Sequence, residues 1–186
     1  MAIPQKNEAR LITGEELARC PDLNPCELVN GRVVPMARAG HIHGEAESRL
    51  DVELALHARQ TGSGRVMVGE VGIYTCRDPD TVRGADIVFI SQERYARRGP
   101  SAFLDVAPEL VVEILSPEDR PGQVQDKIRE YLSAGVDRVW FVNPRRRSVL
   151  VYRSSGQVEA LEVGDTLRDE EILPGFALPL SELFRD

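Results

Sequence analysis

The amino-acid sequence predicts an α/β or α+β sandwich, in which a β-sheet is covered by helices. A helical segment on either side accompanies four strand-like segments, at residues 65–74, 85–90, 109–115 and 138–142. The apolar runs within the last two segments are nearly continuous, which is typical of strands covered on both faces. No repeat or linker divides the 186 residues, a length that suits one domain. We therefore expect an N-terminal arm over residues 1–12 and a single domain over 13–186.

The elements before the sheet are predicted by a capping box, an Asn-Gly turn and a Gly-rich breaker. Thr13-Gly14-Glu15-Glu16 is a capping box that starts a short helix. The Asn-Gly pair at 30–31 predicts an N-terminal β-hairpin over residues 26–36. The longest helix is expected from His43 to about Arg59, ended by Gly62-Ser63-Gly64.

The remaining elements follow from turn and cap residues. Asp78-Pro79-Asp80 predicts the turn between the first two sheet strands, and Ser116-Pro117 ends the third strand. A second helix is expected from about Gln123 to Ala134, with Gly135 as its C-cap. Further strands are expected at 148–153 and 158–163, and a closing turn at 180–184.

The composition excludes several classes of protein. With 42% hydrophobic and 28% charged residues, the chain is not collagen-like, a coiled coil or wholly disordered. No window approaches the roughly 18 continuous apolar residues of a membrane-spanning helix. Residues 1–7 lack the apolar segment of a secretory signal. A cytoplasmic protein with no membrane partner is therefore expected.

The cysteines do not predict a disulfide framework or a zinc site. Cys20, Cys26 and Cys76 are odd in number and irregularly spaced. Cys20 and Cys26 could join His41 and His43 around zinc, but this spacing matches no familiar zinc finger. Buried or idle thiols are the preferred interpretation.

Acidic residues inside apolar strands are the most informative feature. Asp86 lies within Ala-Asp-Ile-Val-Phe-Ile and Glu113 within Leu-Val-Val-Glu-Ile-Leu. Burying an unpaired carboxylate is costly, so each acid is either on a water-facing edge or is paired, protonated or bound to a metal. Two such acids on neighbouring strands are best explained by a divalent cation held by oxygen ligands. Glu70, within Val-Met-Val-Gly-Glu-Val, is a weaker candidate of the same kind.

The long helix adds two polar candidates on its sheet-facing stripe. His43 and Glu47 lie in the same stripe as Leu50 and Leu54 when the helix is projected down its axis. Glu47 is a possible third oxygen ligand or water-binding group. For His43, a structural role and a catalytic role both remain open.

Lysine is rare in this chain, which makes its position informative. Of the 23 basic residues only Lys6 and Lys127 are lysines, and Lys6 falls in the expected arm. Lys127 follows Glu113 by 14 residues, on the next helix, so its ammonium can fold back over the end of the strand. There it could orient or activate a water, or neutralise charge on a phosphate. Tyr131, one turn further on, is expected to pack rather than react.

These residues lie in motifs that resemble the Uma-two family, a branch of the PD-(D/E)XK superfamily of restriction-endonuclease-like proteins. The motifs are His-Gly-Glu-Ala-Glu, Gly-Ala-Asp-Ile-Val-Phe-Ile, Pro-Glu-Leu-Val-Val-Glu-Ile-Leu-Ser-Pro, Lys-x-x-x-Tyr, Ala-Gly-Val-Asp-Arg-Val-Trp-Phe-Val-Asn-Pro and Leu-Pro-Gly-Phe. The resemblance runs from about Thr13 to Phe184. It implies a restriction endonuclease-like mixed β-sheet core flanked by helices, and a phosphodiesterase site that depends on Mg²⁺ (or Mn²⁺).

The resemblance also implies roles for individual residues. Asp86 matches the Asp of the "PD" element, and Glu113 matches the acid of the next strand; both would bind the metal. Lys127 matches a lysine that has moved from the strand to the adjacent helix, and Glu47 matches an acid on the first helix. The chain departs from the superfamily pattern in having Ala85 before Asp86 and Leu115 at the strand position of the lysine.

The leading hypothesis is a metal-dependent DNA endonuclease. The net charge of −7 opposes it, because phosphate binding favours basic surfaces. Two arginine clusters, Arg97-Arg98 and Arg145-Arg146-Arg147, could supply local basic patches, although the second is equally well explained as a solvated turn. A homodimer would let two sites cut two strands, but no residue demonstrates one.

Two alternatives stay open at this point. The chain could be a binding module that keeps the fold without the chemistry and associates with nucleic-acid enzymes or mobile elements. It could also be a phosphohydrolase of small nucleotides, which would need a closed pocket. Convergence of Asp86, Glu113 and Lys127 within metal-binding distance would argue against the binding module.

Overall fold

The computed structural model describes residues 10–185 apart from Asn24 and Glu118, so residues 1–9 of the predicted arm lie outside the described residues. The helices are α1 (Gly14–Ala18), α2 (His41–Thr61), α3 (Gln92–Ala96), α4 (Pro121–Ser133) and α5 (Leu180–Leu183), and a 3₁₀ turn covers Pro21–Leu23. The strands are β1 (Cys26–Val29), β2 (Arg32–Pro35), β3 (Gly64–Cys76), β4 (Thr81–Ser91), β5 (Leu110–Ile114), β6 (Arg138–Asn143), β7 (Ser148–Arg153), β8 (Val158–Glu162), β9 (Thr166–Asp169) and β10 (Leu173–Pro179). None of the helices built from these residues is both long and apolar enough to cross a membrane.

Eight of these strands form one mixed sheet, as the sequence predicts. Its order is β2-β1-β4-β5-β6-β7-β8, with β3 paired to β4 off this path. The β5–β6 pair is parallel and the other pairs are antiparallel. Strands β9 and β10 form a separate two-stranded sheet.

The predicted N-terminal elements are confirmed in detail. The Thr13 hydroxyl accepts from the Glu16 amide at 3.1 Å, and the Glu16 carboxylate accepts from the Thr13 amide at 3.0 Å, which completes the capping box. The hairpin β1–β2 turns through Asn30 and Gly31, whose φ angles of 49° and 72° are those an Asn-Gly turn requires.

Both long helices begin earlier than predicted. Helix α2 starts at His41, because the extended backbone of Gly40 serves as its N-cap. Helix α4 starts at Pro121, whose missing N–H and restricted φ suit the first helical position. Its C-cap is Ala134 rather than Gly135, and Gly135 follows in the left-handed region with φ 100°.

Apolar layers cover the central strands on both faces. On one face, α2 packs on the sheet through a buried cluster that includes Leu50, Leu54, Ile87, Val112 and Trp140. On the other face, α4 packs through a second cluster that includes Val88, Val111, Ile128, Tyr131 and Val139. Alternate residues of β5 therefore enter opposite clusters, which explains why its sequence reads as a continuous apolar run.

Candidate active site

The candidate site lies where β1 and β5 diverge along one edge of β4, beside residues 83–86. We call this gap between the two strands the fork. Strand β3 pairs with β4 along nearly its whole length, so β1 and β5 share the opposite edge. There β1 pairs at Val82, whereas β5 pairs at Ile87, Val88 and Phe89. Within the described residues, this edge of β4 has no strand partner across residues 83–86.

Side chains replace the strand partner in this fork. The Gly84 amide donates to Oε1 of Glu27 at 3.1 Å, and the Gly84 carbonyl lies 3.2 Å from the Tyr131 hydroxyl. Both partners are buried, and they come from β1 and α4. Polar side chains thus occupy the place of the missing strand beside this buried stretch of backbone.

Asp86 and Glu113 face each other where β4 and β5 separate. The register pairs Ile87 with Val112, and its next step would pair Asp86 with Glu113. Pairing ends before that step, and Oδ2 of Asp86 accepts from the Ile114 amide at 2.6 Å instead. Both acids are buried, with exposures of 5% and 9%.

Lys127 folds back from α4 onto Glu113, as its spacing in the sequence predicts. Its Nζ lies 2.7 Å from Oε2 of Glu113 and 3.2 Å from Oε1 of Glu27. Tyr131, one turn along α4, donates to Oε1 of Glu113 at 2.8 Å. Each oxygen of the Glu113 carboxylate therefore has a partner from the same helix.

His43 and Glu47 approach Asp86 from the start of α2. The Nε2 atom of His43 lies 3.1 Å from Oδ1 of Asp86, and its Nδ1 lies 3.1 Å from Oγ of Ser116. Oε2 of Glu47 lies 3.9 Å from Nε2 of His43. The buried imidazole thus bridges Asp86 to the loop after β5, while Glu47 adds a half-buried carboxylate beside it.

Glu70 reaches the same place from a bulge in β3. The register of β3 and β4 shifts between Val68 and Val71, and Glu70 there has a φ angle of 60°. The residue is exposed at the bulge, but its carboxylate turns inward: a Cβ placed on Gly84 would lie 2.7 Å from Oε2 of Glu70. The bulge therefore aims this side chain into the fork.

These groups line one open cavity of about 470 Å³. Its polar lining includes Glu27, His43, Glu70, Asp86, Glu113 and Lys127. Its lining also includes an apolar group from the end of the hairpin and the segment that follows, with Val34, Pro35, Met36, Ala37 and Ala39. All the predicted carboxylates except Glu47, which reaches the site through His43, therefore line the cavity itself.

Comparison with known proteins places the chain in a family. The sequence model of Uma2, described as "Putative restriction endonuclease", matches residues 15–181. The chain belongs to the Uma2 family. The resemblance predicted from its motifs is thereby confirmed.

Solved structures support the fold of this Uma2 protein. One of them is a crystal structure described as that of "a putative nuclease belonging to DUF820" from Anabaena variabilis ATCC 29413. It matches with a TM-score of 0.75 and 20% identity, over 86% of this chain and 89% of that chain. At this identity the match establishes a shared fold. No functionally curated protein is significantly similar to the chain.

Burial and neighbouring charges shift the pKa values of the acids in the Uma2 site. Burial, reinforced by Asp86, raises the pKa of Glu113 to about 8 despite the opposing effect of Lys127. Burial and Asp86 likewise raise the pKa of Glu70 to about 7, and they raise that of Glu47. For Glu27, burial acts in the same sense, but Lys127 and Arg83 outweigh it and lower the pKa.

Neighbouring carboxylates raise the pKa values of both basic groups of the site. The hydrogen bond that the His43 imidazole donates to Asp86 raises the pKa of His43 against the effect of burial. Burial would lower the pKa of Lys127, but Glu113 and Glu27 together raise it. Lys127 is therefore an ammonium at neutral pH.

The donor set fits a hard divalent cation with few protein ligands. Across the described residues, no three His, Cys, Asp or Glu side chains are grouped so that they could hold a metal ion together. Mg²⁺, however, is usually bound by one or two carboxylates and completed by waters and substrate phosphates. Asp86 and Glu113 supply two, and a carboxylate oxygen that already accepts one hydrogen bond retains a further lone pair.

The two arginine clusters lie at opposite ends of the sheet. The turn with Arg145, Arg146 and Arg147 follows β6, which runs parallel to β5, so it is at the same end as the cavity. Arg97 and Arg98 follow α3, beside the start of β5, where the Glu109 carboxylate accepts from the Ser91 amide. The structure does not bring this second pair to the cavity.

Sequence reasoning missed Glu27 and Ser116. Glu27 lies in Cys-Glu-Leu-Val, an acid within an apolar strand, which is the same signal that identified Asp86. The sequence does not indicate that this hairpin joins the sheet next to β4, which is what brings Glu27 to the site. Ser116 carries no comparable signal, since its contact with His43 depends on where α2 begins.

Proposed function

We propose that this chain is an endonuclease that hydrolyses phosphodiester bonds of DNA with the help of Mg²⁺ (or Mn²⁺). The observation that carries the proposal is the meeting of Asp86, Glu113 and Lys127 in one cavity, two buried carboxylates beside a half-buried ammonium. Membership of the Uma2 family supports the same class of reaction.

Asp86 and Glu113 are the residues proposed to hold the cation. When bound, a divalent cation lowers the pKa of a water and offsets charge on the phosphate. His43 and the Ile114 amide keep the Asp86 carboxylate in place, and Tyr131 does the same for Glu113. Each ligand therefore keeps its orientation through contacts that a substrate does not need to supply.

Lys127 is proposed to stabilise the negative charge that develops on the phosphate. Its ammonium is fixed and charged, and it faces the cavity. A preorganised charge in a buried site stabilises such a transition state without reorganisation. Glu47 and Glu70 are proposed as supporting groups that bind water beside Asp86.

The proposal extends to location and assembly. DNA as substrate implies a cytoplasmic enzyme, and a homodimer would place two sites against two strands. The cavity mouth shares its end of the sheet with Arg145 and Arg146, which would contact the DNA backbone.

The test is nicking of supercoiled plasmid with Mg²⁺ or Mn²⁺, set against EDTA. We expect cleavage by the wild type and losses of about 100-fold or more in Asp86→Asn and Lys127→Ala, because both remove charge used in the transition state. Asp22→Asn, on an exposed turn, and Lys6→Ala are matched controls that should cleave normally.

Two results would contradict the proposal. Cleavage that survives in both site variants would indicate another site or a contaminant. A folded wild type that leaves every DNA substrate intact while binding no cation would favour the binding module.

A further inference from the structure

Glu27 is the most heavily engaged carboxylate in the fork. Its Oε1 accepts from the Gly84 amide at 3.1 Å and lies 3.2 Å from Nζ of Lys127. Its Oε2 accepts from the Arg83 guanidinium at 2.7 Å. With 7% of its surface exposed, Glu27 joins the hairpin, β4 and α4 at one point.

Arg83 fixes the orientation of Glu27 from the opposite side. Its guanidinium makes a bidentate pair with Glu130, through Nε at 2.6 Å and a terminal nitrogen at 2.8 Å. Glu130 lies on α4, one turn from Lys127. Bidentate pairs of this kind define direction as well as distance. The Glu27 carboxylate is therefore held at both oxygens.

These contacts account for most of the hydrogen-bonding capacity of Lys127. An ammonium has three N–H donors. One is donated to Glu113 at 2.7 Å, and the ion pair with Glu27 at 3.2 Å occupies another side of the ammonium. The third remains for a group in the cavity that Lys127 lines. If Glu27 were removed, Lys127 would keep its contact with Glu113. Its flexible side chain would then be free to rotate about that contact.

We propose that Glu27 is a positioning residue, which fixes the Lys127 ammonium between two carboxylates so that its third N–H points into the cavity. The catalytic consequence rests on the proposed function, whereas the fixed position of Lys127 does not. Misplacing a catalytic group by about 1 Å can cost about 100-fold in rate. A carboxylate outside the metal ligands would in this way control the group that meets the phosphate.

The test uses the scarcity of lysine. In protein labelled with ¹³C-lysine, Lys6→Arg leaves Lys127 as the source of the only lysine signals. A fixed side chain gives its two ε-methylene protons separate chemical shifts, and a rotating one averages them. We expect separate shifts in the Lys6→Arg background and loss of the separation when Glu27→Gln is added. Glu27→Asp, which keeps the charge but withdraws it by one methylene, should also lose it.

Glu93→Gln is the matched control, because it neutralises an exposed carboxylate of α3 that contacts Arg97 and leaves both Lys127 contacts in place. The two shifts should stay separate in this variant. If they stay separate in both Glu27 variants as well, the proposal is overturned. Backbone amide spectra establish that each variant is folded.

The kinetic readout separates this proposal from the proposed function. If the wild type cleaves DNA, Glu27→Gln should lower kcat by about tenfold or more and change KM little, since substrate binding is retained. An inactive wild type in which Glu27→Gln still releases Lys127 would contradict the nuclease and support the positioning role. If the wild type is active and Glu27→Gln changes neither kcat nor the lysine shifts, the nuclease is supported and the positioning role is contradicted.

Discussion

The hydroxyl of Tyr131 lies 2.8 Å from Oε1 of Glu113, on a ring with no exposed surface. The ring packs in the cluster between α4 and the sheet, as the sequence predicts. Its hydroxyl adds a second function, because it also contacts the Gly84 carbonyl at 3.2 Å. Burial and Glu113 raise the pKa of Tyr131 well above its ordinary value, so it stays a hydrogen-bond donor.

The first prediction concerns stability and pH without metal. Because the pKa of Glu113 is raised from 4.5 to about 8, the folded state binds more protons than the unfolded state between these values. The free energy of unfolding should therefore fall as the pH rises from 5 to 8, by on the order of a few kcal/mol. Glu70 and His43, whose pKa values are also raised, act in the same direction.

Urea unfolding in EDTA at several pH values measures this slope. Glu113→Gln should flatten it, leaving the smaller contribution of Glu70 and His43. Added Mg²⁺ should stabilise the wild type most at pH 8, where Glu113 is ionised, because a cation that binds the folded state alone stabilises it. A slope identical in Glu113→Gln would contradict the burial of an ionisable Glu113.

The second prediction concerns the close approach of Glu70 to Gly84. In Gly84→Ala the new methyl group would meet Oε2 of Glu70 at 2.7 Å and push that side chain from the cavity. We expect a loss of stability below about 1 kcal/mol, because the obstructing atom is the free end of a flexible side chain that can move aside. In a Glu70→Ala background the same substitution should cost less, because the obstructing carboxylate is gone.

Urea unfolding of the two single variants and the double variant gives the free energy of interaction between positions 70 and 84. Gly122→Ala is the control, since a Cβ there meets nothing within 4 Å and α4 gains a better helix former. It should not lower the stability. Additive costs for Gly84→Ala and Glu70→Ala would show that the two residues do not interact.

The third prediction assigns the DNA backbone contacts to one end of the sheet. Arg145 and Arg146 are exposed beside the cavity end, whereas the Arg147 guanidinium is engaged with the Phe184 carbonyl at 2.7 Å. The double variant Arg145→Ala, Arg146→Ala should bind DNA more weakly and lower the salt dependence of log K by up to about two units, about 0.9 per phosphate.

The other arginine pair is a built-in comparison. Arg97→Ala with Arg98→Ala removes the same charge at the opposite end of the sheet and should change neither affinity nor salt dependence. Fluorescence anisotropy at several salt concentrations measures both quantities. Equal effects of the two double variants would assign the binding to overall charge rather than to the cavity end.

The fourth prediction concerns the helix that carries His43 and Glu47. Leu54 has no exposed surface and packs between α2 and the sheet, so Leu54→Ala should cost about 2–5 kcal/mol. Leu56 lies on the outer side of the same helix with 36% exposure, and Leu56→Ala should cost less than about 1 kcal/mol. Chemical denaturation compares the two. Similar losses of stability in the two variants would contradict the finding that α2 packs on the sheet through the face that carries Leu54.

Elements with a strong local signal were predictable from the sequence. The hairpin at Asn30-Gly31, the helix α2 and the apolar strand β5 each carry a turn or periodic pattern of sufficient length. Helix α3 was missed, because five residues span little more than one turn. It is stabilised by the Ser91 cap and by Arg94, which pairs with Asp137 at 2.6 Å, a contact from a distant part of the chain.

The β9–β10 hairpin is likewise absent from the sequence prediction, because it too is stabilised by a contact from a distant part of the chain. Its Asp169 is buried against Arg138 at 2.7 Å, so the partner that secures it lies on β6. In the candidate site, Asp86 and Glu113 could be brought together from sequence, since they lie on strands expected to be neighbours. Glu27 could not, because nothing local states that the hairpin continues the sheet beside β5.

The Gly84 amide is bonded to a side chain of the hairpin where a sheet would normally supply a carbonyl. Opening of β1–β2 alone would therefore expose this amide to deuterium while the amides of β4 that pair with β3 stay protected. The exchange rate of one amide thus reports how often the Uma2 cavity comes apart, independently of global unfolding. Any ligand that closes the cavity should slow that rate before it changes any other.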